Sequence, residues 1–141
     1  MKIFSCIGLL VLAGCAVGNP RATAVSALAA RDVSTIAGGI ERFVSVTLPV
    51  AGTPLALEST EAMVAPALRS GLIANGYRLV ARGEVGAHTV GYRVDAMSDY
   101  VLLRVFIDNT TGSRLYRHDD QGFLHAAGPY TALVETSDSG A

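Results

Sequence analysis

The chain has 141 residues, which suits one modest domain and is too short for two. Eleven basic residues stand against twelve acidic ones with no basic stripe, so direct nucleic-acid binding has no electrostatic basis. Hydrophobic residues make up 50% of the chain and the mean hydropathy is +0.40. That excess comes from alanine and one N-terminal run, and no later stretch reaches the length of a membrane-spanning helix.

The N-terminal run begins after Met1-Lys2, continues apolar through residues 3–12 and ends in Leu12-Ala13-Gly14-Cys15. A positive start, an apolar stretch too short for a bilayer and small residues at its end describe a secretory signal. The ending L-A-G-C resembles the lipobox of bacterial lipoproteins, in which the cysteine is lipidated and the bond before it is cut. The alternative is an ordinary signal with an incidental cysteine. On the lipobox reading residues 1–14 are removed and Cys15 carries the lipid. Ala16 replaces the Asp that usually retains such proteins in the inner membrane, which implies the periplasmic face of the outer membrane. The remaining thiol, Cys6, lies within the signal, so the mature chain can form neither a disulfide nor a cysteine-ligated metal site.

Residues 15–31 are small, polar and alanine-rich, as expected of a tether. A helical pattern begins with Val33, Ile36, Ile40 and Phe43, which share one face; Asp32 or Ser34 is placed to cap it and Pro49 to end it. Gly38-Gly39 weakens that helix by roughly 1 kcal/mol per glycine, so close packing is expected there. Residues 53–57 read as a strand. A second helix carries Val64, Ala67, Leu68 and Leu72 on one face; Pro66 fits best in its first turn, and Asn75-Gly76 stops it. Sheet follows. Residues 77–81 form a strand, Val90, Tyr92, Val94 and Ala96 alternate with polar positions, and Ser98-Asp99 turns into a second alternating run over 101–107. A hairpin loop over 108–112 leads to a last strand at 115–118, with a short further strand possible over 130–134 and a disordered tail over 135–141. The expected fold is a small two-layer α+β domain over residues 32–134, with one or two helices packed on an antiparallel meander of about four strands.

Chemistry-bearing residues are sparse. Arg117-His118-Asp119-Asp120-Gln121, with His125 beyond, is the one cluster of catalytic residue types, yet its spacing matches no ligand signature, and a solvated loop explains it as well. No nucleophile elbow or phosphate-cradling loop occurs. No catalytic residue, metal, cofactor or small-molecule substrate is therefore assigned, and the protein is expected not to be an enzyme. Arg104 and Asp95 are placed to pair across the meander on its outer face.

The strings T-P-L-A-L (53–57), A-L-R-S-G-L-I-A-N-G-Y-R-L-V (67–80), G-Y-R-V-D (91–95), S-R-L-Y-R (113–117) and A-G-P-Y-T (127–131) resemble the conjugal transfer protein TrbH family over most of the chain beyond residue 33. That resemblance implies a small lipoprotein of the mating-pair-formation apparatus, a type IV secretion system, held to the membrane by its lipid and partnered by other transfer proteins. The family supplies no catalytic residues; Cys15 alone transfers, as the lipidation site. Two other readings stand beside it: an envelope binding module unrelated to conjugation, such as a transporter accessory or cell-wall binder, and a small hydrolase or metalloprotein using His118 and His125.

Overall fold

A computed structural model describes residues 28–58 and 62–136. The signal, the lipobox residues Leu12 to Cys15, most of the tether and most of the tail lie outside the described residues. So does the Ser59-Thr60-Glu61 segment between the first strand and the second helix. A single 3-10 turn, Ala30–Asp32, leads into helix α1, Val33–Thr47. Strand β1 (Pro54–Glu58), helix α2 (Ala65–Ala74) and strand β2 (Arg78–Val80) follow. Five more strands complete the chain: β3 (His88–Ala96), β4 (Tyr100–Ile107), β5 (Thr110–His118), β6 (Leu124–Ala126) and β7 (Thr131–Val134).

The architecture is α+β, as expected, but the sheet is larger and mixed. Its seven strands run in the order β2-β1-β3-β4-β5-β6, with β7 also paired to β5. The expected meander is its centre: β3, β4 and β5 pair antiparallel in unbroken register from Val90↔Ile107 to Tyr100↔Arg117. Beside it β1 pairs in parallel with both β2 and β3. Strands that follow α2 in sequence can return parallel to β1 because the helix carries the chain back across the sheet. Such pairing leaves no trace in periodicity, which explains why about four antiparallel strands were expected. At the far edge β5 is long enough to carry β6 at its C-terminal end and β7 at its N-terminal end.

One core joins both helices to one sheet face. Ile36, Ile40, Phe43 and Val44 of α1 and Leu68 and Leu72 of α2 share one buried cluster with Leu55, Val90, Tyr92, Val101, Leu103, Val105 and Tyr116 of the sheet. Val33 is only partly buried, so the apolar face of α1 effectively starts at Ile36. Pro66 does sit in the first turn of α2, where its missing N–H costs nothing. Past Asn75, Gly76 takes φ +93, and the Gly76 and Tyr77 amides donate to Ile73 and Leu72 carbonyls, closing the helix. Tyr77 is buried and donates its hydroxyl to the Leu48 carbonyl at 3.1 Å, tying the ends of the two helices together. Burial pushes its pKa up. At the other end Leu28, within the segment read as tether, is buried in the core, while Ala30 and Arg31 are exposed.

Two expectations about glycine change. The hairpin between β4 and β5 is only Asp108-Asn109; Asp108 adopts φ +50, and its carboxylate accepts from the Thr89 amide at 3.0 Å and pairs with His88 at 2.6 Å. Gly112 is therefore no turn residue. It lies inside β5 under the Phe43 ring, which an added Cβ would overlap. Of the helix pair, only Gly39 has the packing role expected. Its missing Cβ leaves room for the Tyr116 hydroxyl, the Tyr130 hydroxyl and Leu103. Gly38 faces open space, with nothing within 4 Å of a would-be Cβ. Gly39→Ala and Gly112→Ala should therefore each destabilise by about 1–3 kcal/mol through overpacking. Gly38→Ala should stabilise by about 1 kcal/mol through helix propensity alone. Urea unfolding midpoints of the three variants separate the cases, and Phe43→Leu should partly rescue Gly112→Ala but not Gly39→Ala.

Candidate functional site

The N-terminal half of α1 does not lie flush on the outer strands. An open cleft of about 770 Å³ separates it from β5, β6 and the turn that joins them. On the helix side stand Arg31, Asp32, Thr35, Gly38 and Arg42; spacings of four, three and four from Arg31 place them on one side of the helix. Arg114 and Tyr116 of β5, the Asp119–Phe123 turn and β6 form the other wall. A smaller hollow of about 320 Å³, lined by Gly38, Glu41, Arg42, Ser45, Val50 and Asn75, continues on the far side of the same helix ridge. Gly38 and Arg42 belong to both.

Asp32 is the one buried charged residue among those described, 2% exposed. It stands at the N-cap of α1 but makes no side-chain capping bond, contrary to the capping role expected. Its carboxylate instead turns across to Nε2 of His118 at 3.0 Å, linking the helix start to the end of β5. Asp119 has a different task. One oxygen accepts from the Gln121 and Phe123 amides, both at 2.9 Å, and the other meets His125 Nε2 at 2.8 Å. The backbone donor at Phe123 leads in holding its carboxyl below the usual range, helped by His125 and the Gln121 amide, while desolvation opposes them. The turn closes at Gly122, whose φ of +79 lets the Arg31 guanidinium lie over it and reach the Phe123 ring at 5.9 Å. Asp120 is exposed.

The cluster proposed from sequence is thus split. His118 and His125 pair with separate carboxylates and sit one step apart on the β5–β6 ladder, opposite Leu124 and Arg117 respectively. Among the described residues no group of three or more His, Cys, Asp or Glu converges as a metal site would require. The third histidine, His88, is likewise held by Asp108.

What sequence reasoning missed is the arginine content of the cleft. Arg114 donates from Nε to the Gly128 carbonyl at 2.8 Å and lies 5.7 and 5.1 Å from the Tyr116 and Tyr130 ring centroids. Neither Arg31 nor Arg42 is paired with a carboxylate among the described residues. Only the helical offset 31–42 could have hinted at this. Arg114 comes from a strand 72 positions further on. Tyr130 donates to the Gly39 carbonyl at 2.6 Å and makes a tilted ring contact with Phe43 at 5.0 Å between centroids. Burial, reinforced by the neighbouring Tyr116 hydroxyl, holds its pKa well above the ordinary tyrosine value. The Tyr116 hydroxyl is itself buried, facing Gly39 beside the Tyr130 hydroxyl, without a well-formed hydrogen bond.

A second surface is the sheet face opposite the helices. Phe106 and Leu115 are exposed there, with Leu133 of β7 at the edge. The expected Arg104–Asp95 pair is present at 3.6 Å, but Arg93 holds Asp95 more closely, at 2.9 Å. Arg93 and Arg104 are directly opposite across β3 and β4, so Asp95 offsets a like-charge contact.

Glu41, in the smaller hollow, has a pKa raised by burial, partly countered by Asn75 donating to its carboxylate at 3.2 Å. A folded-state pKa above the unfolded value means that the native state binds the proton more tightly. Stability therefore falls as pH rises through and beyond the ordinary value of 4.5. Glu41→Gln, which keeps an oxygen for Asn75, should remove that loss: its unfolding midpoint should exceed that of the wild type at pH 7, with the difference shrinking towards pH 4. For the pair in which Asp32 is buried and His118 exposed, His118→Ala should cost about 1–3 kcal/mol by leaving the Asp32 carboxylate without this partner, and His125→Ala, whose carboxylate is itself exposed, far less.

Among the described residues no helix is long and apolar enough to cross a membrane. No curated protein and no solved structure matches the chain. The family model described as conjugal transfer protein TrbH matches residues 16–135, most of the chain, and the protein belongs to that family.

Proposed function

We propose that this protein is a lipid-anchored, non-enzymatic accessory of the conjugative type IV secretion apparatus, held on the periplasmic face of the outer membrane. Family membership supports the link to conjugal transfer and to its machinery, and it carries the proposal. Anchoring rests on the L-A-G-C string at 12–15, directly ahead of the matched region. A diacylglyceryl group with an amide-linked chain supplies the two or more hydrocarbon anchors that stable membrane attachment needs. The residues after Cys15 give reach, and the α+β domain presents surfaces to other transfer proteins. A docking role is favoured by the state of the polar groups. Each described histidine is engaged by a carboxylate, and Asp32–His118 and Asp119–His125 tie the helix start and the β5–β6 turn into the fold.

Cys15→Ala tests the anchor. The variant should leave the membrane fraction, keep its precursor length and lower transfer frequency in mating assays by an order of magnitude or more at matched expression. Membrane retention with normal transfer would overturn the proposal.

A further inference from the structure

We infer that strand β7 is a pairing edge for a second copy of this chain, joined antiparallel about a two-fold axis at Leu133. All four residues of Thr131–Val134 are exposed and none is charged, so this edge has no cover among the described residues. Leu133 and Val134 are 64% and 57% exposed. The strand is nonetheless held at both ends. Ahead of it Tyr130 donates to the Gly39 carbonyl and contacts the Phe43 ring. Behind it the Glu135 amide donates to the Asn109 carbonyl at 2.9 Å, and the Asn109 side chain donates to the Glu135 carbonyl at 3.2 Å. A fixed, uncharged edge is a template for another strand. The other edges are blunted. Strand β2 has three residues and begins at Arg78, ion-paired with Glu84; β6 also has three, and Gly128-Pro129 separates it from β7. Pairing at β7 therefore closes as a dimer instead of extending into a fibre.

The strand's own residues identify the occupant, because they are complementary to themselves. The Glu135 amide points to β5, so alternation turns the peptide groups of Ala132 and Val134 outward. An antiparallel copy centred on Leu133 sets Ala132 opposite Val134 of the second copy, and Val134 opposite its Ala132. Each of these pairs then exchanges both of its N–H···O=C bonds across the edge. Side-chain volumes match as well. On the face shared with Gly112 and the helices, the larger Val134 meets the smaller Ala132. On the other face Leu133 meets Leu133, extending the rung that already joins it to Thr111 and Phe106. Glu135 falls opposite Thr131, not opposite its own copy, so no like charges meet. Pro129, lacking an N–H, ends the ladder. A pair this short buries less than the roughly 1,200 Å² of a standard interface, so the dimer is reversible.

Cysteine cross-linking in envelope membranes of cells making the full chain tests both the dimer and its register. At the axis, Leu133→Cys sets two Cα atoms about 4.5 Å apart, within disulfide reach. Copper phenanthroline should then yield a disulfide-linked dimer well above the wild-type background. Thr131→Cys alone and Glu135→Cys alone lie about 14 Å from their own copies and should not cross-link, whereas the two variants made together should. Sedimentation equilibrium of the purified full chain in density-matched detergent reads the affinity. Leu133→Arg, which opposes two cations at an exposed position, should raise the dimer dissociation constant about tenfold or more and leave the unfolding midpoint of the monomer unchanged. Arg69→Gln, at an exposed position of α2, should leave the constant unchanged. A chain that stays monomeric, a dimer indifferent to Leu133→Arg, or Thr131→Cys cross-linking as readily as Leu133→Cys would overturn the assignment. So would Leu133→Cys linking to a different envelope protein in place of its own copy, which would mark β7 as the seat of a foreign strand. None of these readouts uses Cys15→Ala or transfer frequency, so this inference and the proposed function fail separately.

Discussion

Everything else in this domain depends on how closely α1 approaches the sheet. Two positions without Cβ set that distance. Gly39 on the helix receives the Tyr116 and Tyr130 hydroxyls, and Gly112 on β5 receives the Phe43 ring. The two contacts are complementary, a helix glycine under sheet aromatics and a sheet glycine under a helix aromatic, and together they fix both the height and the rotation of the helix. Tyr130 adds a hydrogen bond to the Gly39 carbonyl and a ring contact to Phe43, so the end of the chain is clamped on the same pair. Beside this contact the arginine-lined cleft lies between the outward side of α1 and the β5–β6 edge.

Polar contacts then hold the cleft's mouth in place. Asp32 could have capped α1 locally, a contribution of about 1 kcal/mol. It bridges instead to His118 across the mouth, so a local interaction is given up for a tertiary one. Asp119 organises the turn that carries Phe123, and the left-handed Gly122 leaves space for Arg31 above it. The histidines and carboxylates that looked like candidate chemistry are thus the frame. Of the guanidiniums inside it, Arg114 is held by the Gly128 carbonyl and two tyrosine rings, and Arg31 lies over Phe123.

Legibility of the fold varied from element to element for physical reasons. The alternation at Val90, Tyr92 and Val94 and at Val101, Leu103 and Val105 was plain because one face of β3 and β4 is buried and the other is not. The short strand expected over 130–134 is β7, although its full exposure leaves no alternation, whereas β6, three residues long, could imprint no period. Gly112 was misplaced because a glycine after Asn109-Thr110-Thr111 reads as turn chemistry unless the aromatic ring above it is known. The late start of α2 was readable, since Pro66 tolerates only a first-turn position. For the candidate site, the Arg117–Gln121 run and His125 drew attention to the correct corner of the molecule. The roles did not follow, because Asp32 and Arg114 enter from elements distant in sequence.

By itself the sequence determined the class of fold, the two helices, the central antiparallel strands and the likeness to the conjugal transfer family. These are local or compositional properties, set by periodicity, by the turn and helix-start preferences of glycine and proline, and by short strings of residues. Only the tertiary structure decided that β1 joins the sheet in parallel, that Gly39 and Gly112 are contact surfaces while Gly38 is not, and that three arginines share one groove. Each of these is a relation between residues far apart along the chain, and such relations arise only when burial of the common core brings the elements together.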